Sequence, residues 1–129
     1  MKILSPKVHG YLDYAVVLLL FAAPSLFNFE GTPAILSYVL GSMQLLMSLM
    51  TAYPLGAARV IPFPIHGGVE VAVTVLLIAA PWLFQFAHME NARNFFLVSG
   101  VGLGLVWLVT DYRAAESDAQ VRSSRRMTA

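Results

Sequence analysis

Two short stretches of the chain place a histidine and a carboxylate four residues apart where an apolar run begins. They are ILSPKVHGYLD, with His9 and Asp13, and VIPFPIHGGVE, with His66 and Glu70. A spacing of four puts the two members of each pair on one face of a helix. Four kinds of chemistry suit such pairs. Each can be structural, with the acid near the positive end of the helix dipole and the imidazole bonding to it or capping the helix. Taken together, His9, Asp13, His66 and Glu70 offer two nitrogen and two oxygen ligands to a divalent transition metal, though without the Glu-x-x-His spacing of di-iron bundles. His9 and His66 alone offer two imidazoles to a haem or quinone site, with Gly10, Gly67 and Gly68 beside them leaving room for a flat ring. The fourth is a proton or ion relay along the carboxylates. The deciding quantity is the distance between the two pairs.

The elements that must position these residues follow from composition. Of 129 residues, 58% are hydrophobic and only 12% charged, with a mean hydropathy of +0.72. Soluble domains carry about 25% charged residues, so the bilayer is the expected solvent. Without cysteine, thiolate metal sites, disulfides and dithiol redox chemistry are excluded. Four apolar runs, at about 11–29, 33–52, 66–86 and 94–110, each approach the roughly 20 residues a helix needs to span hydrocarbon. Helix is the assignment, because a lipid-exposed backbone must satisfy its own hydrogen bonds and the runs lack the alternation of barrel strands.

The chain repeats itself. A shift of 57 residues lays His9-Gly10 on His66-Gly67, Asp13 on Glu70 and Ala22-Ala23-Pro24 on Ala79-Ala80-Pro81. It also lays Leu26-Phe27 on Leu83-Phe84, Asn28 on Gln85 and Phe29 on Phe86. With two further residues of offset, Gly41 falls on Gly100 and Thr51-Ala52-Tyr53 on Thr110-Asp111-Tyr112. Each copy reads as a hairpin of two helices, and two hairpins make an all-α four-helix bundle. Residues 1–57 form the first repeat, 58–113 the second and 114–129 a polar, flexible tail. Two spans per copy return the chain to its starting side, so the repeats are parallel rather than inverted. Lys2, Lys7 and the short apolar run after them resemble a signal peptide, but an internal copy of a membrane span is expected to stay in the protein.

Lys2, Lys7, Arg59, Arg113, Arg122, Arg125 and Arg126 all fall on the side of the two termini, and only Arg93 opposite. That bias predicts cytoplasmic termini in the cell membrane. Trp82, Phe84 and Phe86 at one interface, and Trp107 and Tyr112 at the other, read as aromatic belts. His88, Glu90 and Arg93 read as solvated loop residues, and the Arg122/Arg125/Arg126 cluster as a topology signal able to touch anionic lipid. In the second run Ser37, Gly41, Gln44, Ser48 and Thr51 line one seam, and in the fourth Gly100 and Gly104 form a GxxxG. Small residues of this kind let helices approach closely, within the bundle or in a homo-oligomer. A solute pathway past Gln44 is the thinner alternative.

Ala-Pro-Trp-Leu-Phe at 80–84 and its echo Ala-Pro-Ser-Leu-Phe at 23–27, set in paired hairpins, resemble the SPW-repeat membrane proteins. That family is named for a Ser-Pro-Trp tripeptide within a repeat of two transmembrane helices. The resemblance covers roughly residues 4–113 and implies an integral membrane protein of a bacterium or archaeon. It supplies no catalytic residues. No hydrolase triad, phosphate-binding loop, CxxC or dinucleotide fingerprint occurs, and no basic face suits nucleic acid. The function expected first is a non-enzymatic membrane scaffold or accessory subunit. Its partners would be the bilayer and a second copy or another membrane protein. The alternative is a cofactor- or metal-binding redox or transport protein using the two His–acid pairs.

Overall fold

The computed structural model describes residues 3–128, with the backbone alone for 114–119; Lys2 of the basic set lies outside the described residues. Its helices are α1 (Pro6–Leu26), α2 (Thr32–Met50), α3 (Phe63–Leu83), α4 (Glu90–Val109) and α5 (Tyr112–Thr128). The first four are long and apolar enough to cross a membrane. They form an all-α bundle of two tandem hairpins, α1 packing against α2 and α3 against α4.

Helices α1 and α3 begin earlier than their apolar runs suggest, at residues 6 and 63 rather than 11 and 66. The starts are set by proline and capping, not by hydrophobicity. Ser5 accepts a hydrogen bond from the Val8 amide and Pro6 occupies the first turn of α1; Pro64 does the same in α3. Proline suits that turn because its missing N–H would have no partner there. Asp13 and Glu70 are therefore the eighth residues of their helices, past the first turn where the dipole would hold an acid. The acid-at-the-dipole reading of each pair is corrected on that ground.

Both helices stop in the same way. Asn28 and Gln85, equivalent in the repeat, take left-handed backbone angles with φ of 53° and 60°. The amides of Phe29 and Phe86 then bond back to the carbonyls of Pro24 and Pro81 at 3.0 and 2.8 Å, the closing bond of a Schellman turn. Helix α4 starts at Glu90 rather than 94, so Glu90 and Arg93 belong to its first turn. Arg93 there bonds to the Ala87 carbonyl and to Asn94.

At the opposite end the chain forms two short parallel bridges. Strand β1 (Thr51–Ala52), leaving α2, pairs with β2 (Ile61–Pro62), entering α3, with Thr51 beside Ile61. Likewise Thr110, leaving α4, bridges Leu4, entering α1. The two bridges are related by the repeat itself, and together they tie each hairpin's exit to the other hairpin's entrance. The segment after Asp111 is a helix, α5, where the polar composition suggested an irregular tail. It packs against α3 and α1.

The apolar core lies at the end of the interhelix loops, around Phe29, Phe86, Phe95, Phe96 and Ala92. On the outside, Leu18 and Val98 are each 72% exposed, and Ile35, Val75, Leu46 and Leu105 are open as well. So much uncovered aliphatic surface suits lipid, not water.

Candidate metal centre

The two bridges place a threonine hydroxyl beside each histidine of the other repeat. Thr51 Oγ1 lies 2.6 Å from His66 Nδ1, and Thr110 Oγ1 lies 2.8 Å from His9 Nδ1. Each hydroxyl has one proton, and each donates it to the carbonyl four residues back, Met47 or Val106, at 2.6 Å. The threonines are therefore left to accept, and both Nδ1 atoms must carry hydrogen. This fixes the tautomer of both rings by proton counting.

The other ring nitrogens face the acids. His9 Nε2 lies 3.3 Å from Asp13 Oδ1 and 2.9 Å from Glu70 Oε1. His66 Nε2 lies 3.2 Å from Asp13 Oδ2 and 3.3 Å from Glu70 Oε1. All four residues are 0–2% exposed. The pairs thus meet, each imidazole reaching the carboxylate of its own helix and that of the other. Two tyrosines complete the acids' partners: Tyr53 donates to Asp13 Oδ2 at 3.0 Å and Tyr112 to Glu70 Oε2 at 2.5 Å. Both tyrosines lie beyond the spans. Burial first, and then the charge of Asp13 or Glu70, pushes their hydroxyls well above the usual tyrosine range, so they stay donors. Phe63 closes the end of the cluster, its ring edge-on to His9 and tilted against both tyrosines.

With Nδ1–H fixed, a bare Nε2 lone pair would face carboxylate oxygens about 3 Å away, which is repulsive. Something positive must lie between them: a proton on each imidazole or a shared cation. A divalent ion with two carboxylates and two neutral imidazoles is charge-neutral, as is the doubly protonated set. The ligand atoms all lie within 4.8 Å of one another. Tetrahedral coordination with bonds of about 2.0–2.2 Å has edges of roughly 3.4 Å; each Nε2 lies 2.9 to 3.3 Å from an oxygen of each acid, Asp13 turning Oδ1 to His9 and Oδ2 to His66. The surrounding shell is the kind metal sites use, every ligand being oriented by a further hydrogen bond.

The space that Gly10 and Gly67 were expected to leave for a macrocycle is filled by the protein itself. A Cβ on Gly10 would meet Leu55 at 2.9 Å and one on Gly67 would meet Tyr112 at 2.7 Å. The carboxylates hold the gap between His9 and His66. Haem as a ligand of these histidines has no support from this geometry.

The small-residue seams lie elsewhere. Gly41 packs against Leu20 and Phe21, Gly100 against Leu77 and Ile78, and Gly104 against Thr74, all within their own hairpins. Ser37 donates to the Leu20 carbonyl at 2.6 Å, which is the carbonyl that Pro24, lacking an N–H, leaves without its helical partner. Gln44 reaches Ser48 at 3.4 Å. Thr51 leaves the seam and serves His66. Tyr53, Thr110, Tyr112 and Phe63 were not singled out as site residues. The signal for three of them was the internal repeat, which laid Thr51 and Tyr53 on Thr110 and Tyr112 beside a copied His–acid pair.

The chain matches the family model described as the SPW repeat domain over residues 7–112. It belongs to the SPW repeat family. No curated protein and no solved structure matches it. With that membership and four membrane-length helices, the protein is an integral membrane protein in contact with the lipid bilayer. The SPW match runs from the turn before His9 to Tyr112, so every member of the buried cluster falls inside it. The Pro-Trp step of the SPW-like second copy, Pro81-Trp82, lies at the far end of α3, in its last turn.

Proposed function

We propose that this SPW repeat protein is a metal-binding membrane module holding one divalent first-row ion between His9, Asp13, His66 and Glu70. The observation that carries the reading is the convergence of both Nε2 atoms on the two buried carboxylates, with the threonine hydroxyls holding the other proton of each ring on Nδ1. Burying four ionisable side chains is expensive, and apolar residues of similar volume would hold the helices at less cost. A cluster fully partnered on its outer side and convergent on its inner side is suited to a ligand. Imidazole and carboxylate together favour zinc, iron or manganese over soft cuprous copper.

The test is made on protein purified in detergent, stripped with chelator and reloaded with zinc or cobalt. One ion per chain by elemental analysis is expected, with the visible absorption of tetrahedral cobalt. Both should be lost in His9→Ala and in His66→Ala. Protein that stays metal-free and colourless after loading sinks the reading.

We further propose that both termini, and with them the cluster, face the cytoplasm across the cell membrane, as the basic residues on that side suggest. Reporters fused after Phe29 and after Thr128 should signal from opposite sides. Same-side signals would contradict four spans. A scaffold acting by helix–helix interaction, alone or with a second copy, draws less support. The seams suited to such contacts, at Gly41 and Gly100, are used inside the hairpins.

A further inference from the structure

An ion held by four side chains that are 0–2% exposed reaches them only when something moves aside. Two tyrosines close the cluster on the side of the termini, and the repeat makes them a matched pair. They are not held alike. Tyr53 is 3% exposed, whereas Tyr112 is only half-buried. Tyr53 belongs to the loop 53–60 between β1 and β2, which is fastened at many points. Ala57 and Ala58 donate to the Leu49 carbonyl at 2.7 and 2.9 Å, and Val60 to that of Met50 at 2.8 Å. The Arg59 guanidinium donates to the Gly56 and Pro54 carbonyls. Tyr14 then ties the loop to α1 by donating to the Leu55 carbonyl at 2.9 Å.

The second repeat lacks that tie. The shift of 57 residues pairs Tyr14 with Val71, which has no hydroxyl to donate. The cover is also divided differently. In the first repeat Leu55 lies over Gly10 while Tyr53 bonds to Asp13, so two residues share the task. In the second, Tyr112 does both: a Cβ on Gly67 would meet its ring at 2.7 Å, and its hydroxyl donates to Glu70 Oε2. Beyond it, the side chains of α5 from Gln120 to Thr128 are all exposed. Displacing this one ring uncovers α3 at Gly67 and frees Glu70 Oε2, the oxygen opposite the one that both imidazoles share. Displacing Tyr53 leaves Leu55 in place over Gly10.

We propose that Tyr112 is the entry gate of the cluster: a divalent cation coming from the side of the termini meets Glu70 Oε2 first, as the Tyr112 ring leaves Gly67 and Tyr53 stays shut. What passes the gate rests on the metal reading; where the cluster opens does not. The test therefore has two readouts on the full chain in detergent. In metal-free protein, His9 and His66 are acylated with diethyl pyrocarbonate and read by mass spectrometry against the exposed His88. Tyr112→Phe gives up a hydrogen bond to a charged group and should raise their labelling about tenfold or more, while Tyr53→Phe should leave it near that of the unaltered chain. Gly67→Ala pushes the ring aside with every hydroxyl present and should act as Tyr112→Phe does. Gly10→Ala displaces only the flexible end of Leu55 and should not. In cobalt-loaded protein, release to excess chelator should follow the same order. Equal labelling in the two tyrosine variants, the mark of a merely structural role, overturns the gate, as does unchanged labelling in Gly67→Ala. Raised labelling in Tyr112→Phe protein that takes up no cobalt upholds the gate and sinks the metal reading.

Discussion

The two ends of the bundle are built by different rules. At the end of the termini the repeats match residue for residue: His9 with His66, Asp13 with Glu70, Thr110 with Thr51 and Tyr53 with Tyr112, all in one hydrogen-bonded network. At the far end Phe29 and Phe86 are equivalent, but Phe96 of α4 stands where α2 carries Ser37. There Phe96 packs among rings while Ser37 repairs the helix at Pro24. Apolar packing is non-directional, so one large residue can fill a space that two copies share. Hydrogen bonds are directional, and each donor in one repeat needs its acceptor in the other.

The sharpest way to break this contrast is Glu70→Ala. It removes an acceptor from both imidazoles and from Tyr112 inside a dry cluster. Deleting one partner of a buried ionic set costs about 3–5 kcal/mol, so denaturation in detergent should show the largest loss of any single change here. A cost under about 1 kcal/mol would show that the cluster is wet or unmade. Phe96→Ala is the counterpart at the far end. Phe96 is fully buried, but when the bundle opens it meets hydrocarbon rather than water, so truncation loses packing without losing an escape from water and its cost should fall below the roughly 3–5 kcal/mol of a water-soluble core. Metal content should be unaffected by it, and a loss of metal in that variant would erase the distinction between the ends.

Smaller effects sharpen the symmetry. Thr51→Val and Thr110→Val each leave one imidazole N–H without an acceptor, at about 1–3 kcal/mol. The two should be alike in stability and should each weaken metal affinity about 10–100-fold, as loss of an outer partner does. Unequal metal affinities would show that one histidine alone is the ligand.

The smallest effect is alkaline. The hydroxyls of Tyr53 and Tyr112 have their ionisation raised by burial and by the facing carboxylates. Their contribution to stability is whole below the ordinary tyrosine value of about 10. It is lost as pH rises through the higher folded value. Tyrosinate absorbance should therefore show a late phase, absent from the Tyr53→Phe/Tyr112→Phe double variant. If the late phase survives that change, the assignment of these two hydroxyls to the carboxylates fails.

What the sequence by itself determined was local or periodic. Four spans follow from the length of the apolar runs, two hairpins from the shift of 57 residues, and the facing of each histidine toward its acid from the helical period. The helices α1 and α3 start before their apolar runs because Ser5-Pro6 and Pro64, not hydrophobicity, set the first turn. The helicity of α5 escaped because polar composition carries no core-facing stripe. Only the tertiary structure decided that the two His–acid pairs share one site. It also took Thr51 from the packing seam and Tyr112 from the aromatic belt and made them partners of the site. The physical reason lies in the two parallel bridges, Thr51 with Ile61 and Thr110 with Leu4. They bring each hairpin's exit onto the other's entrance, a pairing that helical periodicity does not encode.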